Sequence, residues 1–202
     1  MESIIVSAIE SYGYFAVFAL IFLENVFPPI PSEVILLLGG FFVGRGNLNF
    51  LPTILSATAG SLFGAYILYG IGRLVPTEKI YDSAERGWMK KLGFKRKEIL
   101  TVVEQFEKKG KIFVLIGRCV PIIRSLISIP AGIVEMPVPL FSVLTVIGSF
   151  VWNSILTYLG YKTGENWHII LSYLDYYKYI IAALLAVAGV AYLIWHFKQK
   201  EE

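Results

Sequence analysis

The stretch that decides the fold reads Leu23-Glu24-Asn25-Val26-Phe27-Pro28-Pro29-Ile30-Pro31-Ser32-Glu33-Val34. It places two carboxylates and three prolines inside a segment, residues 12–44, that is otherwise apolar. A charge held at bilayer depth costs about 2.5–3.5 kcal/mol on insertion scales. Backbone that is not helical is stable at that depth only inside protein or beside a water-filled cavity. The stretch is therefore either an ordinary loop or the centre of a site inside a membrane protein.

The composition of the whole chain favours the membrane interpretation. Of its 202 residues, 56% are hydrophobic and 16% are charged, whereas soluble domains carry roughly 25% charged residues. A single cysteine, Cys119, excludes an internal disulfide and a cysteine-rich metal site. The early charges, Glu2 and Glu10, do not match the basic start of a cleaved signal peptide. We expect one all-α, polytopic membrane domain over residues 1–202, without a cofactor or a metal.

Two kinds of apolar segment predict two kinds of membrane element. Residues 51–72, 138–160 and 179–197 are near the roughly 20 residues that cross a bilayer, and they predict full spans. Residues 12–44 and 112–134 are shorter apolar halves separated by prolines, which resist a continuous helix, and they predict two re-entrant hairpins. The predicted hairpin breaks are Pro28, Pro29, Pro31, Pro121, Pro130 and Gly132. Residues 1–11 predict a short lead-in helix.

The segment 73–111 differs from the rest of the chain because it holds eleven of the eighteen basic residues, with Trp88, Leu92 and Phe106 as apolar anchors. This pattern predicts amphipathic helices on the membrane surface, and the positive-inside rule puts them in the cytoplasm. The membrane surface explains the basic run without a nucleic-acid partner. An extracytoplasmic connector, 161–178, then leads to the last span, and Lys198 and Lys200 in the tail, 198–202, predict a cytoplasmic C-terminus.

The two halves of the chain contain the same spacings. Gly60-Ser61 precedes Gly72 by the same interval at which Gly148-Ser149 precedes Gly160, and Pro29 precedes Gly40 as Pro121 precedes Gly132. Hairpin and span therefore recur, within 1–72 and within 112–160. Because the first span runs toward the cytoplasmic segment and the second runs away from it, the predicted repeats are inverted. That is the plan of many secondary transporters, in which substrate binds where broken helices meet.

Four charged residues are the candidate site. Glu24 and Glu33 belong to the first hairpin, and Arg118 and Arg124 belong to the second. One interpretation is a structural salt bridge that joins the hairpins. The other is a substrate site in which the arginines bind an anionic headgroup, since a guanidinium forms paired hydrogen bonds with phosphate, and a carboxylate carries a proton. The two interpretations are compatible.

Enzyme classes fit poorly. A histidine-type membrane phosphatase needs histidines beside its arginine and serine motifs, but His168 and His196 lie in the connector and near the tail. An intramembrane serine protease also needs a buried histidine, and a zinc site lacks ligands. We therefore expect a protein that is not an enzyme.

At these residues the sequence resembles the DedA family, also called the SNARE-associated or VTT-domain family, over about residues 12–165. The resemblance is carried by Leu23-Glu24-Asn25, Pro29-Ile30-Pro31-Ser32-Glu33, Gly117-Arg118-Cys119-Val120-Pro121-Ile122-Ile123-Arg124 and Pro130-Ala131-Gly132. The family often has an aspartate further from the first acid where this chain has Glu33, and a phenylalanine where it has Cys119.

The resemblance implies a lipid flippase or scramblase with two opposed re-entrant hairpins in the bacterial cytoplasmic membrane, some members of the family depending on the proton motive force. The family's important acids and arginines map onto Glu24, Glu33, Arg118 and Arg124. We expect transport of a phosphate-bearing lipid, with undecaprenyl phosphate ahead of phosphatidylethanolamine and with protons as a coupled partner. A proton-coupled ion or drug transporter and a membrane-organising protein without transport remain alternatives, and a homo-oligomer is compatible with the sequence.

Overall fold

A computed structural model describes residues 2–27, 32–74, 96–121 and 123–166 of the chain, and these residues form helices joined by turns, without a strand. The helices are α1 (Glu2–Tyr12), α2 (Tyr14–Val26), α3 (Ser32–Gly44), α4 (Phe50–Arg73), α5 (Arg96–Gly117), α6 (Ile123–Leu126), α7 (Ser128–Ile133) and α8 (Val138–Thr163), followed by a 3-10 turn (Gly164–Asn166). The predicted all-α class is confirmed for these residues, and α1 occupies the segment predicted as a lead-in helix.

Helices α4 and α8 are the long apolar elements of the described residues. They contain 24 and 26 residues and are long and apolar enough to cross a membrane, since a rise of 1.5 Å per residue makes each more than about 30 Å long. They cover the predicted spans 51–72 and 138–160. The predicted third span 179–197, the tail 198–202, most of the basic linker (75–95) and Pro28, Pro29 and Pro31 lie outside the described residues.

Helices α4 and α8 run antiparallel, which gives the bundle two ends. At the upper end, where α4 begins, the rings of Phe50 and Tyr161 meet edge to face. At the lower end, where α4 ends, the Tyr69 hydroxyl donates a 2.6 Å hydrogen bond to the Met136 carbonyl. The start of one helix is therefore beside the end of the other.

Helices α2 and α3 both have their outer termini at the upper end. The Asn49 amide donates a 2.8 Å hydrogen bond to the Tyr14 hydroxyl at the start of α2, and Gly44 at the end of α3 packs on Tyr161. Helix α2 stops at Val26 because Phe27 precedes a proline and takes an extended conformation with φ −122° and ψ 89°.

We call residues 12–44 and 112–134, the two predicted hairpins, the first and second proline-rich segments. The second differs from its prediction in two ways. Helix α5 runs without interruption from Arg96 to Gly117, so no structural boundary separates residues 111 and 112. Pro130 and Gly132 lie inside α7 rather than at a break, because a proline in the first turn of a helix loses no hydrogen bond. The break is at Arg118–Pro121, where the chain forms turns between α5 and α6.

The inner helix of each proline-rich segment packs on the span of the other half of the chain, α3 on α8 and α7 on α4. A Cβ atom on Gly40 would lie 2.7 Å from the Tyr161 amide nitrogen, and one on Gly132 would lie 2.9 Å from the Arg73 amide nitrogen. These contacts are equivalent, since Tyr161 follows Gly160 as Arg73 follows Gly72.

The glycines of the spans make equivalent close contacts with the inner helices. A Cβ on Gly160 would lie 2.8 Å from the Leu37 carbonyl carbon, and one on Gly72 would lie 3.0 Å from that of Ile129. Leu37 and Ile129 each precede the inner-helix glycine by three residues. Small residues let helix backbones approach closely, so both crossings are backbone-to-backbone contacts that a side chain would block.

The outward faces of α4 and α8 are apolar and exposed. They carry Leu51, Leu55, Phe63, Ile67 and Ile71 on α4 and Val143, Ile147, Phe150, Val151 and Ile155 on α8. The inward faces carry glycines and buried hydroxyls, including Thr53, Ser61, Thr145 and Thr157. This arrangement, apolar outside and partly polar inside, is that of a helix bundle surrounded by lipid.

We predict that Gly72→Ala lowers stability by about 1–3 kcal/mol, the usual range for forcing an extra methyl into a packed interface. The matched control is Gly70→Ala on the same helix, where a new Cβ meets no atom within 4 Å. The control should be neutral or slightly stabilising because alanine is the better helix former. Thermal unfolding of the detergent-solubilised variants measures both, and equal midpoints for the two would contradict the close crossing.

Candidate functional site

The centre of the site is an ion pair between the two proline-rich segments. Arg124 on α6 donates through Nη2 to Oε2 of Glu24, which is near the end of α2. The two side chains are only 5% and 8% exposed. A hundred residues separate the partners in sequence, so this contact depends on the complete fold.

Glu33 and Arg118 complete a charged cluster, which we define as Glu24, Glu33, Arg118 and Arg124. Glu33 is buried in the first turn of α3, where the positive end of the helix dipole favours a carboxylate. Its charge and that of Arg118 both act on Glu24, and Arg118 is also close enough to interact with Arg124. The four candidate residues predicted from the sequence therefore lie together.

The cluster lies near the middle of both spans. Asn25, next to Glu24, packs on α4 so closely that a Cβ on Gly64 would lie 2.5 Å from the Asn25 Cβ. Arg118 packs on α8 in the same way, since a Cβ on Gly148 would lie 2.8 Å from the Arg118 Cβ. Gly64 and Gly148 are each close to the midpoints of Phe50–Arg73 and Val138–Thr163. The charges are thus far from both ends of the bundle.

Arg118 is held by atoms of its own half of the chain. Its Nη1 donates to the Arg124 carbonyl at 2.7 Å. Its Nη2 donates to Ser128 Oγ at 2.8 Å and to Thr145 Oγ1 at 3.2 Å. The Phe141 ring centroid lies 5.7 Å from its Cζ, within the range of a cation–π contact. Nε has no hydrogen-bond partner among the described residues.

Several of these partners were not predicted from the sequence. Ser128, Thr145 and Phe141 lie in apolar segments in which single hydroxyls and aromatic rings are common, so no spacing distinguishes them. Asn25 had a stronger signal, a carboxamide beside a buried acid. Its Nδ2 donates to the Ile21 carbonyl at 3.1 Å and to Glu24 Oε2 at 3.4 Å, which helps to orient the Glu24 carboxylate.

The arrangement can bind an anion. A guanidinium that holds a carboxylate can exchange it for a phosphate, which accepts the same paired hydrogen bonds. Among the described residues, no group of three or more histidine, cysteine, aspartate or glutamate side chains could hold a metal ion. His168 and His196 lie outside those residues.

Comparison with known proteins identifies relatives over most of the chain. The family model described as the VTT domain matches residues 30–162. Undecaprenyl phosphate transporter A of Staphylococcus aureus is 35% identical, with 100% of this chain and 98% of the relative aligned. The protein of the same name from Bacillus subtilis is 31% identical, with 82% of this chain and 81% of the relative aligned.

A second group of relatives has a different name. An alkaline phosphatase-like protein of Lactococcus lactis subsp. cremoris is 40% identical, with 99% of this chain and 94% of the relative aligned. No solved structure matches the chain.

We predict that Arg124→Ala lowers the free energy of unfolding by about 3–5 kcal/mol, because it leaves the Glu24 carboxylate buried without its partner. The double variant Arg124→Ala/Glu24→Gln should recover part of this loss, since it removes the stranded charge. Arg45→Ala is the control, because Arg45 is exposed at the upper end. Detergent unfolding curves measure all three, and a double variant no more stable than Arg124→Ala would contradict a desolvated pair.

Proposed function

The chain belongs to the VTT-domain family, and on this premise we propose that it transports undecaprenyl phosphate, a phosphate-bearing lipid, across the bacterial cytoplasmic membrane. The single observation that carries the proposal is the buried Glu24–Arg124 pair near the middle of both spans. A guanidinium at that depth can bind the phosphate, which is the one polar group of an isoprenoid phosphate. The apolar faces of α4 and α8 can contact the isoprenoid tail of the lipid. The names of the two transporter relatives agree with this substrate.

We propose that the architecture is a pair of inverted repeats with re-entrant hairpins. Helices α2 and α3 form the hairpin that opens at the upper end, and α5 to α7 form the one that opens at the lower end. The reciprocal glycine contacts of α3 with α8 and of α7 with α4 support an approximate two-fold relation. The basic residues Lys108, Lys109 and Lys111 on α5 support a cytoplasmic lower end and, with it, a multi-pass topology.

Headgroup exchange is the proposed mechanism. The lipid phosphate takes the place of the Glu24 carboxylate on Arg124, and Glu24 then binds a proton, because an unpaired carboxylate is expensive at this depth. Release of the lipid on the other side restores the ion pair and frees the proton. Glu33 adds a second negative charge near Glu24, which favours uptake of the proton by Glu24 when the phosphate arrives. Transport and proton movement are thereby coupled.

The second group of relatives suggests a competing function. Their name, alkaline phosphatase-like, makes hydrolysis of a phosphate ester the competing candidate. A phosphatase would release inorganic phosphate from the lipid, whereas a transporter leaves the ester intact. Measuring lipid movement and phosphate release in the same reconstituted sample distinguishes the two functions.

The test is reconstitution in liposomes with labelled undecaprenyl phosphate, with and without a pH gradient. We expect the lipid to change leaflets, faster with the gradient, and we expect no release of inorganic phosphate. Glu24→Gln and Arg124→Lys should each slow transport at least about tenfold, since each removes an interaction worth at least about 1.4 kcal/mol. Lys162→Gln, at the exposed upper end of α8, is the control and should retain the wild-type rate.

Three results would count against the proposal. Wild-type protein that moves no lipid would reject transport, and release of inorganic phosphate would favour the hydrolase. If labelled phosphatidylethanolamine moved faster than undecaprenyl phosphate, phosphatidylethanolamine would be the preferred substrate. A carboxylate would then bind the ammonium group of the lipid.

A further inference from the structure

Arg118 and Arg124 have different surroundings although both belong to the charged cluster. The described ion pair of Arg124 reaches across to Glu24 on α2. Both terminal nitrogens of Arg118 are instead engaged by α6, α7 and α8. A phosphate could accept paired hydrogen bonds from Arg118 only by displacing a partner of Nη2, and Nε alone offers a single bond.

The partners of Arg118 come from three separate elements. The carbonyl of Arg124 belongs to the single turn of α6, Ser128 is the first residue of α7, and Thr145 is on the span α8. Hydrogen bonds to a charged donor are about twice as strong as neutral ones, and exclusion of water strengthens them further. The Arg118 guanidinium therefore fixes the short helix that carries Arg124 to the span.

We propose that Thr145 and Ser128 are positioning residues of the site: they fix the Arg118 guanidinium, and its hydrogen bond to the Arg124 carbonyl holds α6 so that the Arg124 side chain reaches Glu24. The inference rests on the proposed function for its effect on transport. In this inference Arg124 contacts the phosphate, and Arg118 orients α6. Thr145 also links the site to α8, so the position of the span is transmitted to the ion pair.

The variants that test this remove one hydroxyl at a time. Thr145→Val keeps the shape of the side chain and loses the acceptor, and Thr145→Ser restores it. Ser128→Ala makes the same test from α7. The matched control is Thr53→Val, because Thr53 is fully buried as Thr145 is but its hydroxyl donates to the Asn49 carbonyl of its own helix terminus at 2.8 Å.

The first measurement is the infrared band of the Glu24 carboxylate, obtained as the difference between each sample and the same sample with Glu24→Gln. We expect Thr145→Val and Ser128→Ala to shift or broaden this band, because Arg124 no longer pairs with Glu24 in one geometry. Thr145→Ser and Thr53→Val should leave it as in the wild type. An unchanged band in both hydroxyl deletions overturns the proposal, whether or not the protein transports lipid.

The second measurement is a double-mutant cycle in the liposome assay. Thr145→Val should lower the transport rate about tenfold, the effect of losing one hydrogen bond to a charged group. In an Arg124→Lys background it should lower the rate less than about twofold, because a flexible ammonium does not need the geometry that a planar fork needs. A full tenfold loss in that background would mean that Arg118 acts on the lipid directly, which overturns the proposal.

The two measurements separate this inference from the proposed function. If wild-type protein moves no lipid while the Glu24 band responds to Thr145→Val and not to Thr53→Val, the proposed function fails and the positioning role stands. If transport is confirmed and the band does not respond, the positioning role fails alone. Should Thr145→Val not fold, as judged by its thermal midpoint, Ser128→Ala provides both measurements.

Discussion

The structure depends on the cost of holding charge away from water. Glu24 and Arg124 are acceptable at the middle of the bundle only because each neutralises the other, and the pair forms only when two segments a hundred residues apart meet. The Coulomb attraction in such surroundings is several times stronger than at a protein surface. Because charges interact strongly in these surroundings, an unpaired Glu24 or Arg124 is costly, and a competing anion can also bind Arg124 strongly. One contact therefore serves both assembly and the proposed transport.

Backbone proximity is the second requirement, and glycine supplies it. Gly40, Gly72, Gly132 and Gly160 bring α3 and α7 against the spans of the opposite half. Because the contact surfaces are carbonyls and amides rather than long side chains, the inner helices lie close to the spans, and Glu33 and Arg118 both come near enough to Glu24 to act on its charge. The charged cluster is therefore a product of close helix crossing as much as of the acids and bases themselves.

Much of this could be predicted from the sequence, and the failures have physical reasons. Hydropathy predicted α4 and α8 because apolar length is a strong signal. The repeated spacing of prolines and glycines predicted that the acids of the first hairpin and the arginines of the second would face one another, but not that Glu24 and Arg124 would be the pair. Pro130 was wrongly taken for a break, since proline ends a helix only beyond its first turn. Ser128 and Thr145 were missed because a lone hydroxyl in an apolar segment has many roles, and its partner is known only once α5, α7 and α8 are placed. The continuity of α5 across residue 111 was missed because the change in polarity there concealed an unbroken helix.

The exchange of inner helices between the halves has a consequence for biosynthesis. Helix α3 is buried along most of its length, and much of its covering comes from α8, which the ribosome makes about a hundred residues later. Until then α3 lacks its neighbour on that side. Part of the packing surface of α3 is therefore completed only after α8 has been made.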